Sequence, residues 1–199
     1  RVESSIPFDL DYMNRITKNG LPNKTLNIIL AGTGVGKSLA MCHFAAANLT
    51  QGKNVLYITL EMSEEKIAER IDANLMNTPL DYLHQLSKDE YMNKISKIKS
   101  KTKGKLIVKE YPTASANVSH FKHLINDVKL KKQFKPDIIY IDYLNICSSS
   151  RMRASATVNS YTLIKSIAEN YEEWLSNMMF LLYPQHKLLV VVLRTRMWI

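Results

Sequence analysis

The sequence predicts an α/β fold with a mostly parallel sheet covered by helices on both faces. Three observations carry that expectation. Short apolar, β-branched runs alternate with amphipathic helical stretches along the first 169 residues. The runs are continuously apolar rather than alternating, as strands buried on both faces require. A glycine loop stands between the first run and the helix after it, in the pattern G-x-x-x-x-G-K-[ST].

In chain order, "TLNIILA" (Thr25–Ala31) is the first strand, and "AGTGVGKS" (Ala31–Ser38) is the loop. A helix from Lys37 to Thr50 follows, with apolar positions Leu39, Ala40, Cys42, His43, Phe44 and Ala47, and Gly52 is its stop. "NVLYITLE" (Asn54–Glu61) is a second buried strand, and Ser63 is placed to cap the helical "SEEKIAERIDANLMN". A helix over Lys88–Lys101 leads to the strand Lys105–Tyr111. A helix over Val118–Lys131 precedes the buried strand Pro136–Leu144. The Ser/Arg loop "CSSSRMRASAT" then opens a helix near Val158.

Composition narrows the class. A chain of 199 residues fits one domain with a sizeable core. It begins at Arg1, which predicts a fragment or a processed product, and its start has no apolar signal region. Cys42 and Cys147 lie far apart without metal-ligand spacing, so reduced thiols in a cytoplasmic protein are expected. The net charge of +9 favours polyanionic partners, nucleic acid above all. Much of that charge lies in "KISKIKSKTKGK" (Lys94–Lys105), which also reads as the solvated face of one helix.

In parallel α/β sheets ligands bind beyond the carboxyl ends of the strands, so the residues just after each strand are the candidates. In Ala31, Gly32, Thr33, Gly34, Val35, Gly36, Lys37 and Ser38, glycines let successive backbone N–H groups turn inward around phosphates at the positive end of a helix. Lys37 is placed to neutralise β/γ-phosphate charge, and the Ser38 hydroxyl to bind Mg²⁺. Ala31 stands where glycine is usual and demands an ordinary φ. Asp142, closing "DIIYID", is the matching acid that orders Mg²⁺. Glu61, at the tip of the strand after the loop helix, can reach a water in line with the γ-phosphate and act as general base; the competing reading is an ordinary acid at a helix start, beside Glu64 and Glu65. ATP and Mg²⁺ are the cofactors this set implies.

Together these segments resemble the ATPase domain of the DnaB-type hexameric replicative DNA helicases, a RecA-like family, and the T-even phage type above all. The resemblance runs over residues 6–169. It is carried by "IPFDLDYMNRITKNGLPNKTLNIILAGTGVGKS", by "LEM" (Leu60–Met62) with Arg70 soon after, and by "IDYLN" (Ile141–Asn145). It implies a lead-in segment and linker over 1–24 and a RecA-like ATPase core over 25–169. It also implies Lys37 and Ser38 on phosphates and Mg²⁺, Asp142 on Mg²⁺ and Glu61 as base, while Arg70, Arg151 and Arg153 stay without assigned roles. The expected activity is ATP hydrolysis coupled to 5′→3′ translocation on single-stranded DNA and duplex unwinding. Expected partners are single-stranded DNA, five further copies of itself in a ring, a primase and a helicase loader, in the host cytoplasm for a phage-encoded chain. The alternatives are a RecA-like recombinase filament on DNA, a small-molecule P-loop kinase, and an inactive nucleotide-binding remnant.

The family continues with a helix, a strand ending in a polar sensor, DNA-binding loops and an arginine finger. Residues 170–199 match none of these, so the core is expected to be truncated before its last strands. Pro184, Gln185, His186 and Lys187 interrupt any membrane span, and the stretch shows neither helical nor strand period. A shifted frame explains it better. With one G restored after the codon of Glu169, residues 170–192 can be coded so that the other frame reads ELRGMAIEYDVPIVSATQTTRSG, which supplies helix, strand and sensor glutamine in order. The one-codon residues Trp174, Met178 and Met179 all fit. Residues 170–199 are therefore expected to be a frameshifted tail without evolved structure.

Overall fold

The structure, a computed structural model, describes residues 5–23, 25–31, 34–112, 118–142 and 188–194. Its centre is a five-stranded sheet formed by β3 (Leu26–Ala31), β4 (Val55–Thr59), β5 (Leu106–Glu110), β6 (Ile138–Asp142) and β7 (Leu188–Arg194). The order is β3-β7-β6-β4-β5, and every neighbouring pair is parallel. A separate two-stranded antiparallel ribbon joins β1 (Ser5–Ile6) to β2 (Leu21–Pro22) around the short helix α1 (Asp11–Ile16).

The crossovers are helices, as parallel pairing demands. They are α2 (Lys37–Thr50), α3 (Glu64–Met76), the single turn α4 (Leu80–Leu83), α5 (Lys88–Lys101) and α6 (Val118–Lys131). Every residue of β4 and β6 is buried. Side chains alternate across a strand: Val55, Tyr57, Ile138 and Tyr140 join one cluster with Met41, Cys42, Ala45, Ala46 and Leu49 of α2 and Ile67 and Ile71 of α3. Leu56, Ile58, Ile139 and Ile141 alternate with these and are equally buried, so both faces of the central strands are covered. β5, the edge strand, is only partly buried.

Local chemistry fixes the ends of the elements. Ser63 caps α3 by accepting from the N–H of Lys66 at 3.4 Å. Ser87 and Glu90 form a reciprocal capping box on α5. The lead-in segment is tied down on α2 through Gln51 Nε2 to the carbonyl of Pro7 (2.9 Å), His43 Nε2 against Asp9 Oδ2 (2.7 Å), and the Phe8–Phe44 ring pair. α5 buries no side chain, in keeping with the solvated lysine face expected from its sequence.

Several expectations are corrected. The strand expected over Asn54–Glu61 ends at Thr59, so Glu61 stands in the turn beyond it. Leu39, counted with the apolar face of α2, is 48% exposed, and the buried stripe runs instead through Met41, Cys42, Ala45 and Leu49. The stretch over 188–194, expected to lack structure, forms β7 between β3 and β6. A central strand of a parallel sheet takes a continuous apolar β-branched run, not an alternating one, so a test for period misses it. The loop after Asp142, the helix expected near Val158, Cys147, Arg151 and Arg153 lie outside the described residues, as does the rest of 170–187 and 195–199.

Candidate nucleotide site

β3 ends at Ala31 in extended backbone, which an alanine adopts without strain. The loop then delivers the chain to α2 through Gly34 (φ 74°) and Gly36 (φ 96°), both in the left-handed region that favours glycine. Gly36 is the N-terminal flank of α2, and it offers the helix no side-chain cap. The first N–H groups of α2 therefore keep their positive dipole end for a ligand. Lys37 and Ser38 are the first two residues of that helix. Gly32 and Thr33 lie outside the described residues.

A cleft of about 350 Å³ opens here, lined by Gly34, Gly36, Lys37, Ser38, Leu39, Glu61, Met62 and Arg70. Val35, at the tip of the loop, is 71% exposed. The structure thus brings the loop, the acid after β4 and Arg70 of α3 to one place. Thr59 sets the turn that carries Glu61. Its Oγ1 donates to the carbonyl of Met62 at 2.8 Å and accepts from the N–H of Met62 at 3.1 Å, closing a turn that spans Thr59 to Met62. The N–H of Leu60 donates to the carbonyl of Asp142 at 2.7 Å, which locks the tip of β4 to the tip of β6. Glu61 projects from this braced turn and is exposed.

Asp142 does not line the cleft; it is 1% exposed at the end of β6. Its Oδ2 accepts from the Tyr57 hydroxyl at 3.2 Å. Its Oδ1 is buried with no hydrogen-bond partner among the described residues. A buried carboxylate oxygen without a donor is costly, and an orphan of this kind fits a carboxylate that completes its coordination through a hydrated divalent cation. Burial first, and then the charge of Asp142, push the Tyr57 phenol well above its ordinary range, so it remains the donor. Burial also pushes the Cys42 thiol up to about 11, which keeps it neutral. Among the described residues no group of three or more His, Cys, Asp or Glu side chains is gathered as a metal cage.

A larger cleft, about 700 Å³, lies between the lead-in segment, α2 and α3, beside Asp9, His43, Arg70 and Asn74. It is the roomier of the two, but it lacks the loop amides and the lysine. The smaller cleft is the better candidate on chemistry.

Sequence reasoning missed Tyr57 and Thr59. The signal for both was present: "NVLYITLE" and "PDIIYIDYL" each place a Tyr two residues before the polar end of the strand. Parallel register then sets Tyr57 opposite Tyr140 and Thr59 opposite Asp142.

Comparison with known proteins adds an independent line. Residues 5–175 match the family model of the DnaB-like helicase C terminal domain. A DnaB-like replicative helicase of Enterobacteria phage T4 is 50% identical over 167 residues, covering 82% of this chain and 35% of that protein. A protein described as a probable plasmid replicative DNA helicase of Chlamydia psittaci is 34% identical over 129 residues, covering 62% of this chain and 27% of that one. The chain thus spans about a third of the length of the curated relatives it matches. Among solved structures, an ATPase domain superposes with a TM-score of 0.67 at 17% identity, covering 95% of this chain and 63% of that one. A DnaB-like replicative helicase, determined together with its interactions with primase, gives the same TM-score and identity over 43% of its chain. At that identity the two structures speak for the fold, which is that of RecA-like helicase ATPase domains.

Proposed function

Since this chain belongs to the DnaB-like helicase C terminal domain family, we propose that it is the ATP-hydrolysing motor portion of a replicative DNA helicase. The observation that carries the proposal is the meeting of Lys37, Ser38 and Glu61 around one cleft at the carboxyl end of a parallel sheet, with the buried Asp142 tied through its backbone carbonyl to Leu60, next to Glu61.

In this reading the amides of the loop and of the first turn of α2 cradle the phosphates of ATP. Lys37 neutralises charge as it develops on the transferred group. Glu61, exposed to solvent yet braced by Thr59, accepts the proton of the attacking water. Ser38 and Asp142 would hold Mg²⁺, which when bound supplies charge neutralisation on the phosphates. No second substrate is needed, which separates this chemistry from that of a kinase.

Single-stranded DNA, further copies of the chain in a ring of six, a primase and a loader are the partners this membership suggests. The net charge of +9 suits a nucleic-acid track. We further infer that residues 170–199 arise from a single-base deletion, and that the shifted frame happens to supply the apolar run Leu188–Arg194 that pairs as β7. Among the described residues no helix is long and apolar enough to cross a membrane.

The test is ATP turnover with and without single-stranded DNA. The 199-residue chain should bind nucleotide without DNA-stimulated hydrolysis or unwinding. The product expressed after restoring one G behind the Glu169 codon should gain stimulated turnover. In that product Glu61→Gln should lower turnover by about 100-fold or more while binding persists. Stimulated hydrolysis by the 199-residue chain, or no gain on restoring the base, would overturn the reading of the tail. Full turnover in the Glu61→Gln variant would overturn the role of Glu61.

A further inference from the structure

The Cys42–Tyr57–Asp142 chain has no part in what the family membership or the nucleotide chemistry requires, yet it ends on the buried acid of the site. We propose that Tyr57 is a positioning residue whose hydroxyl holds Oδ2 of Asp142, so that Oδ1 alone is presented toward the metal ion. The proposal rests on the assignment of Asp142 to Mg²⁺ made above and asks how that carboxylate is aimed.

A carboxylate has two equivalent oxygens, and rotation about its last torsion exchanges them easily. Exchange is prevented only by a donor fixed on one side. Here the two oxygens are sharply different: Oδ2 accepts from the Tyr57 hydroxyl at 3.2 Å, and Oδ1 is buried with no partner among the described residues. The donor itself is held by two neighbours, one of them anchored in turn. Tyr57 is fully buried, and its ring stacks on Tyr140 with centroids 5.8 Å apart and planes at 23°. The Tyr140 hydroxyl is anchored in turn on Asn48 Oδ1 of α2 at 2.6 Å. The Cys42 thiol approaches the Tyr57 oxygen at 3.9 Å and donates to it, which leaves the phenol proton for Asp142.

This chain also joins the two halves of the proposed metal pair. Cys42 lies four residues after Ser38, one turn along the same helix face. A path of contacts therefore runs from the helix that carries Ser38, through Tyr57, to the carboxylate at the end of β6. The competing account is that a buried phenol has merely taken the nearest acceptor to avoid an unpaired hydroxyl. The neighbouring Tyr140 separates the two accounts. It is stacked in the same pair, is equally buried, and also spends its hydroxyl on a buried acceptor, but that acceptor is Asn48.

The experiment measures binding of a fluorescent ATP analogue to the purified chain at increasing Mg²⁺, for wild type, Tyr57→Phe, Tyr140→Phe and Asp142→Asn. Partners that orient metal-binding side chains typically change metal affinity by about 10–100-fold. Tyr57→Phe should therefore raise the half-maximal Mg²⁺ concentration by about tenfold, while affinity measured in EDTA stays at the wild-type value. Tyr140→Phe should leave the Mg²⁺ midpoint in place. Equal midpoints for wild type and both Phe variants, or equal shifts for the two variants, would overturn the proposal. So would a Tyr57→Phe chain that fails to fold, because the hydroxyl would then hold the fold rather than aim the acid. Asp142→Asn reports on the underlying assignment separately. If it binds nucleotide with an unchanged Mg²⁺ response, Asp142 is not on the metal, and this inference falls with that assignment whatever Tyr57 does.

Discussion

Glu64 shows how one side chain can serve a helix and a sheet together. It stands in the first turn of α3, and its Oε1 accepts from the backbone N–H of Glu110 at 3.0 Å and from Lys109 Nζ at 3.3 Å, tying α3 to the edge strand β5. The backbone bond first, and then the lysine, hold this carboxyl below its ordinary value of 4.5. A carboxyl lowered in the folded state stabilises the fold above its unfolded value and loses that contribution as pH falls through the folded one. Chemical denaturation of wild type and Glu64→Gln at pH values above and below 4.5 should therefore show a shallower loss of stability in acid for the variant. Identical acid slopes would contradict the assignment. At this scale the sequence was legible where a residue type had one job. Lys37 and Ser38 are recognisable by spacing, and Ser63 caps its helix as its position promised. Glu61 was legible as an acid near the end of a strand, but not as a residue held in a turn by Thr59, because that clamp depends on a fold-back a linear pattern does not encode.

At the scale of elements, length decided what could be read. α2, α5 and α6, each 14 residues long, occur within the bounds their patterns predict. The six-residue α1, the single turn α4 and the β1–β2 ribbon carry too few residues to show a period, and helices so short owe their existence to packing rather than to propensity. β7 was missed for a different reason: "LLVVVLR" is apolar without alternation, and the surrounding sequence offered no frame in which to place it. In the sheet it pairs residue by residue with β3 on one side and β6 on the other, with Val191 opposite both Ile28 and Ile141. Val191→Pro removes the backbone N–H at the centre of this ladder. It should cost at least about 2 kcal/mol, read as a lower melting temperature. Unchanged melting would mean that the strands carrying the loop and Asp142 do not depend on β7.

For the whole molecule, parallel order matters most, because it brings the carboxyl ends of β3, β4 and β6 to one edge. At that edge the loop and the Glu61 turn share one cleft, and the carbonyl of Asp142 is bonded to Leu60 of that turn, although 104 positions separate Ser38 from Asp142 in the chain. The α/β class followed from the sequence, because the order of strands, loops and helices is itself written there. What lies between the loop strand and the Asp142 strand did not follow, since pairing across a sheet is a property of the whole chain. Equilibrium binding of a fluorescent ATP analogue with Mg²⁺ to the wild-type chain and to Lys37→Ala decides whether this edge is a nucleotide site. The account predicts saturable binding by wild type and a loss of at least about tenfold in affinity for Lys37→Ala. Absence of binding by a folded wild-type chain, or equal affinity for the two, would contradict it.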